Sequence, residues 1–266
     1  MTTWQWQTWQ GKSYLTCRLL EPFTHGFFTQ QFRPQTPQDL VRVLAPNTPA
    51  YRTQQVHGNA IAKTVDLEPM SPHATHAGRV TSSLHEADGI LTHAECESVW
   101  VCSADCTPVL VADTQTGRVA AIHAGWRGTA AKIVPTAIEQ FRSNGSQLEN
   151  LRVALGPAIS GEVYQVSSEV AAEVGASILS VRDDTSPDTI LEELNDIPQP
   201  PVLPDLEPGK VRLDVRRAIV LQLDRLGIQP EQIAVSPHCT YQDPDRFFSY
   251  RRTGEKNVQW SGIVSH

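Results

Sequence analysis

Three short apolar runs between residues 98 and 123 constrain this chain more than any other feature. Ser98 to Ser103 (Ser-Val-Trp-Val-Cys-Ser), Pro108 to Ala112 and Val119 to His123 are β-branched and apolar, and each has the length of one strand. They read as buried strands whose ends present polar residues: Ala104-Asp105-Cys106-Thr107 separates the first two, and His123 closes the third. Gly125-Trp126-Arg127-Gly128 follows at once, two glycines around a tryptophan and an arginine, as in a tight turn where backbone approaches something closely. The period then changes to helical, with Ala131, Val134, Ile138 and Phe141 on one face and a stop near Asn144-Gly145. Pro135 must sit in the first turn of that helix or kink it.

Strand and helix signals alternate along the rest of the chain without a repeat. Trp4 and Trp6 alternate with polar residues and Ser13 to Leu19 follows, which predicts two strands. Residues 34–79 are weakly periodic, with a short helix over Gln38 to Leu44 and a strand end at Gln55-Val56-His57-Gly58. Leu151 to Leu155 is a strand, and Ser167 or Ser168 caps a helix through Val174. Val215, Ile219, Leu223 and Leu226 share a helical face, and Gln232 to Ser236 reads as a last inner strand. Residues 183–209 combine eight acidic residues with several prolines, a composition that disfavours packing and predicts a surface excursion. One α/β domain over residues 1–266 accommodates all of this, and 40% hydrophobic content can fill its core.

A formal net charge of -7, with no lysine/arginine cluster, argues against nucleic acid as a partner. No apolar run approaches a membrane span, and the start Met-Thr-Thr-Trp-Gln-Trp-Gln lacks a secretory signal. Five cysteines, an odd number in a chain too large to need disulfide staples, point to reduced thiols and a cytoplasmic protein.

Cys106 stands where a sheet end displays a side chain beside Asp105, and the alternative is a buried structural cysteine. His123 and His57 each end a strand-like segment ahead of glycine, as ligands or as core histidines satisfied by one hydrogen bond. Taken together, two imidazoles and one thiolate form a borderline-soft set that suits zinc and leaves a fourth position open. Their spacing matches no short zinc-finger pattern. His93-Ala94-Glu95 has the H-x-E form of zinc deaminases, but no P-C-x-x-C follows. Cys102, four residues before Cys106, falls inside a strand and is expected to pack in the core. Nine histidines in unrelated contexts fall short of the roughly ten that a type 1 plus trinuclear copper set requires.

Several motifs in order carry a resemblance. Gln55-Val56-His57-Gly58, Ala87-Asp88-Gly89-Ile90-Leu91-Thr92, Ser103 to Leu110, Ile122 to Gly128, Leu155-Gly156-Pro157-Ala158-Ile159 and Phe247 to Arg252 look like the bacterial YfiH-like laccase-domain family over most of the chain from about residue 54. The resemblance implies a single-domain mixed α/β fold, a layered α/β/β/α sandwich, with zinc bound by His57, Cys106 and His123. It also implies phosphorolysis of purine nucleosides (adenosine, inosine, guanosine and S-methyl-5′-thioadenosine), with adenosine deamination as a companion activity. Copper and polyphenol oxidation have been attached to the family name; copper here is expected to be adventitious. On this reading Cys106, His123, Asp105 and Arg127 serve catalysis, Arg127 and Arg251 meet substrate or phosphate, and Asp88 or Asp105 carries protons or supports a ligand.

The chain departs from the family's pattern in three places. It has no clear Asn-Leu-Gly segment or following Asn-Arg pair between Thr24 and Leu44; Thr253-Gly254-Glu255 replaces a terminal arginine with an anion; and residues 183–209 look longer and more acidic. Two rival readings are a cysteine hydrolase or peptidoglycan-editing factor using Cys106 and His123, and a non-enzymatic scaffold whose acidic excursion docks a partner.

Overall fold

The three apolar runs become strands of two sheets packed face to face. In the computed structural model, which describes residues 3–70, 84–179, 182 and 184–266, β7 (Ser98–Ser103) belongs to one sheet and β8 (Thr107–Asp113) and β9 (Val119–Ala124) to the other. The runs are apolar throughout because each strand buries both faces. Val99 and Val101 point between the sheets while Trp100 points outward, and Leu110 and Ala121 point between the sheets while Val109 and Ile122 face helices.

The first sheet has the order β1 (Trp4–Trp9), β2 (Lys12–Cys17), β3 (His25–Phe28), β15 (Gln259–Val264), β7, β4 (Ala50–Tyr51). The second runs β14 (Ile233–Val235), β10 (Leu151–Leu155), β8, β9, β6 (Gly89–Leu91), β5 (Ile61–Lys63). All neighbours pair antiparallel except β4 with β7, β10 with β14 and β5 with β6. A third, small sheet joins β11 (Gln165–Ser167), β13 (Lys210–Leu213) and β12 (Val202–Pro204).

Helix α1 (Pro37–Leu44), started by a capping box between Thr36 and Asp39, covers the outer face of the first sheet, with its Leu40 and Val41 in one cluster with Phe28 and Trp100. The outer face of the second sheet carries α3 (Ile133–Ser143), α4 (Ser168–Ala176), α5 (Pro187–Asn195) and α6 (Val215–Arg225). The layers are therefore α/β/β/α, as the resemblance implied. Ser167 does cap α4, accepting from the Val170 amide. The helix expected from Ala131 is two: α2 (Trp126–Ala130) ends, Lys132 takes a left-handed φ of 60°, and α3 begins with Pro135 in its first turn.

Two further expectations change. Residues 183–209 were read as unpacked, yet α5 sinks Ile190 and Leu194 into the core beside α4, and Val202 of β12 joins them. Asp188, Glu192 and Glu193 share that helix's solvent face, so composition averaged over the stretch hid its amphipathic period. Asp183, and residues 71–79 of the weakly periodic stretch, lie outside the described residues. The expected inner strand near Gln232 is an edge strand, β14. The last inner strand is β15, whose Gly262 leaves room for the Trp100 ring, which a Cβ there would meet at 2.4 Å. Among the described residues no helix is long and apolar enough to cross a membrane.

Candidate metal centre

Strand register gathers the site at one end of the second sheet. Antiparallel pairing sets Thr107 opposite Ala124 and Pro108 opposite His123, so Cys106, just before β8, comes beside the end of β9. On the other side β6 pairs with β9, which puts Asp88 next to His123, and the His123 amide donates to the Asp88 carbonyl at 2.7 Å. His57 arrives from outside the ladders: residues 55–58 form a bend, not a strand end, and His57 itself holds a positive φ of 61°.

Asp88 secures that bend. Its carboxylate, fully buried, accepts from the amides of Val56 (3.0 Å), His57 (2.9 Å) and Gly58 (2.8 Å) and from His123 Nδ1 at 2.9 Å. Burial alone would raise its pKa, but the His123 contact and the amides of Gly58 and Val56 outweigh it and hold the carboxyl below its ordinary value. With Nδ1 donating to Asp88, Nε2 is the nitrogen left to bind a metal.

The ligand atoms of His57, Cys106 and His123 lie within 4.8 Å of one another, and the two imidazoles meet edge to face at 4.9 Å between centroids. Burial pushes the Cys106 thiol up, but hydrogen bonds and charge from His123 and His57 bring it down to about 6. Burial opposes protonation of His123, yet Asp88 and Cys106 raise it to about 9. Such electrostatics favour a thiolate, and one thiolate with two imidazoles suits zinc with one position open. Gly125 permits the approach, since a Cβ there would stand 2.9 Å from Cys106 Sγ and 3.4 Å from His57 Cδ2. Among the described residues this is the one group of three or more histidine, cysteine or carboxylate side chains able to hold an ion. His25 is instead satisfied structurally, receiving the Cys17 amide at 2.8 Å and contacting the Phe23 carbonyl. Cys102 sits half-buried in β7, and burial pushes its thiol up to about 11.

A small cleft beside Cys106 is lined by Trp126, Tyr164, Ile159 and Val215. Arg127 is exposed with its guanidinium 4.4 Å from the Trp126 ring centroid. Arg251, also exposed, lies 4.8 Å over Tyr164 and donates to the Gln165 carbonyl at 2.8 Å. Burial, then the charge of Cys106, raises the Tyr164 phenol to about 12 against the pull of Arg251.

Asp105 holds a left-handed φ of 90°, and both of its carboxylate oxygens are engaged, by Thr240 Oγ1 and by the Arg251 amide, each at 2.7 Å. It thereby ties α7 (Tyr250–Thr253), the helix that carries Arg251, to the strand end that carries Cys106. Sequence reasoning missed Thr240 and Tyr164. Neither belongs to a recognisable spacing, and only the fold brings them to residue 105.

Fold and site together define a class: α/β/β/α sandwiches with one His2Cys metal-type site at a sheet end. Within that class the chain belongs to the YfiH-like family described as multi-copper polyphenol oxidoreductase laccase, which matches residues 38–265. It is 52% identical over 265 residues to a purine nucleoside phosphorylase of Synechocystis sp., covering 99% of this chain and 97% of that relative. A protein named adenosine deaminase RL5, from an unknown prokaryotic organism, is 29% identical over 206 residues, 71% of this chain and 72% of its own. YlmD from Geobacillus stearothermophilus shares the fold with a TM-score of 0.77 at 24% identity over 98% of both chains.

Proposed function

We propose that this chain is a zinc-dependent purine nucleoside phosphorylase acting on adenosine, inosine, guanosine and S-methyl-5′-thioadenosine, with adenosine deamination as a side activity. The observation that carries the reading is the His57, Cys106 and His123 group beside an aromatic cleft, in a chain 52% identical to a protein named for that activity. Its five free cysteines suit a cytoplasmic setting.

In phosphorolysis an oxygen of phosphate bonds to the ribose C1′ as the bond from C1′ to the base breaks. The products are ribose 1-phosphate and the base, which takes a proton. Zinc, when bound, supplies a Lewis acid at the cleft. The chain's own residues do the rest. Arg127 and Arg251 offset the charge of phosphate and of the transition state, and Trp126 steadies the Arg127 guanidinium. Tyr164, whose phenol keeps its proton at neutral pH, offers a donor to the base or sugar. Asp105 acts as a positioning residue for Arg251, and Asp88 for His57 and His123.

The test is a nucleoside panel incubated with zinc-loaded protein, with and without phosphate. Free base and ribose 1-phosphate should appear only with phosphate, and Arg127→Ala should lower kcat/KM at least tenfold with zinc retained. No base release from any of the four nucleosides, zinc and phosphate both present, overturns the proposal.

A second reading has one observation in its favour. Cys106, His123 and Asp88 form a thiol, imidazole and carboxylate series with a lowered thiol pKa, as a cysteine hydrolase or peptidoglycan-editing enzyme requires. His57 on the same sulfur favours the metal. Hydrolysis of a peptidoglycan precursor by zinc-free protein, abolished by alkylating Cys106, would decide for the hydrolase.

A further inference from the structure

The three metal ligands come from separate segments of chain, and each spacing between them needs something to fix it. The β8–β9 hairpin fixes Cys106 against His123, through the pairing of Thr107 with Ala124. Asp88 fixes His57 against His123, because one of its oxygens accepts from both the His57 amide and His123 Nδ1. The third spacing, from His57 to Cys106, has a device of its own at Gln55.

Gln55, half-buried and two residues before His57, turns its side chain to β7. Its Nε2 donates to the Cys102 carbonyl at 2.8 Å, and its Oε1 accepts from the Cys102 amide at 2.8 Å. Alternate residues of a strand present both backbone groups to the same side. Ser98 donates its amide to the Pro49 carbonyl on the β4 side, so Cys102, four residues on, faces that side too. β4 ends at Tyr51, opposite Val99, short of Cys102. The Gln55 carboxamide fills the rung beyond that end, setting one donor and one acceptor against the acceptor and donor of a single residue.

The other anchors of the bend lead to the second sheet. Asp88 directly precedes β6. Asn59 donates to the Ala131 carbonyl at the end of α2 at 2.8 Å, and the Gly58 carbonyl lies so near α2 that a Cβ on Gly128 would meet it at 2.9 Å. Gln55 reaches the first sheet instead, and it grips β7 four residues before Cys106, where the chain is about to cross from β7 to β8. We infer that Gln55 is a positioning residue of the metal centre: its carboxamide, locked on Cys102, fixes His57 relative to Cys106 as Asp88 fixes it relative to His123. The inference rests on the metal reading and is independent of phosphorylase activity.

Two variants test it. Gln55→Ala removes both bonds, whereas Gln55→Glu keeps the size and the acceptor but sets a carboxylate oxygen against the Cys102 carbonyl. Each should lower zinc affinity at least about tenfold in chelator competition. In metal-free protein each should also quicken amide exchange at Val56, His57 and Gly58 at least about fivefold. The control is Ser98→Ala, at the other end of the same strand, where Ser98 Oγ donates to the Pro49 carbonyl at 2.9 Å and accepts from Trp100 Nε1 at 3.0 Å. It should lower the thermal midpoint and leave zinc affinity unchanged. Zinc affinity within about twofold of the parent in either Gln55 variant, unchanged exchange at 56–58, or an equal loss of affinity in Ser98→Ala overturns the inference. A parent protein that binds no zinc overturns the metal reading and the inference with it. That failure is distinct from failure of the clamp alone, in which the parent binds zinc and the variants match it.

Discussion

Asp88→Asn is the most informative single change at the metal centre. The carboxylate receives four donors, two on each oxygen: His57 N and His123 Nδ1 on Oδ1, Val56 N and Gly58 N on Oδ2. Asparagine keeps one oxygen and turns the other into an NH2 group, so two donors must lose their acceptor and face a donor. His123 is buried whereas the bend at 56–58 is partly open to water, so the amide turns to keep His123 and sacrifices the Val56 and Gly58 amides. At about 1 kcal/mol for each partly solvated donor, stability falls by roughly 2 kcal/mol. The bend then holds His57 by one anchor in place of three, and zinc affinity should fall about 10- to 100-fold, as for other partners that orient a ligand. Chelator competition measures the affinity and thermal unfolding the stability. The control is Asp113→Ala: Asp113 is equally buried and accepts from the Gln115 and Thr116 amides in the turn at the far end of β8, so its loss should lower stability and leave zinc untouched. A further readout separates positioning from bulk stability. Asp88 helps raise His123, so its neutral replacement should make log affinity depend less steeply on pH between about 6 and 9. Zinc affinity within twofold of the parent protein would refute the reasoning.

Other changes probe other links. In zinc-free Cys96→Ser protein, which removes an exposed competing thiol, iodoacetamide should alkylate Cys106 with a midpoint near pH 6, because its lowered pKa keeps the reactive thiolate populated at all higher pH; a midpoint near 9 contradicts the imidazole contacts. Cys17 and Cys102, both pushed up to about 11, should stay unmodified at neutral pH. Gly125→Ala drives a methyl against Cys106 Sγ without straining a backbone at φ -77°, so elemental analysis should show zinc content cut by more than half in a folded protein. Gly262→Ala must displace the Trp100 ring and should cost about 1–3 kcal/mol in denaturant unfolding with zinc unaffected.

The inner strands and the three ligands were legible because their signals are local: apolar runs of strand length, polar residues at the ends, glycines after each histidine. What joined the ligands was not local. Asp88 stood out as one carboxylate among many, and only the pairing of β6 with β9 reveals that it grips both histidine segments. β15 escaped notice because Gln259, Ser261 and Gly262 dilute its apolar signal, although Ser261 and Gly262 are needed where the strand runs between β3 and β7. Helix α5 escaped because its two core side chains, Ile190 and Leu194, are outnumbered by acidic neighbours that face solvent.

The β8–β9 hairpin delivers two donors, Cys106 and His123, from one short loop of chain, whereas His57 comes from a bend with no ladder of its own. Closing a hairpin costs little loop entropy and happens early, while the His57 contact spans about fifty residues and must wait for β6 to find β9. An ion therefore meets a protein whose core is already assembled, and its binding latches one bend to a finished scaffold. Chelation should quicken amide exchange at residues 55–58, whose amides then rest on Asp88 alone, while β8 and β9 stay protected, so that metal supply governs the site's readiness and leaves the survival of the fold to its core.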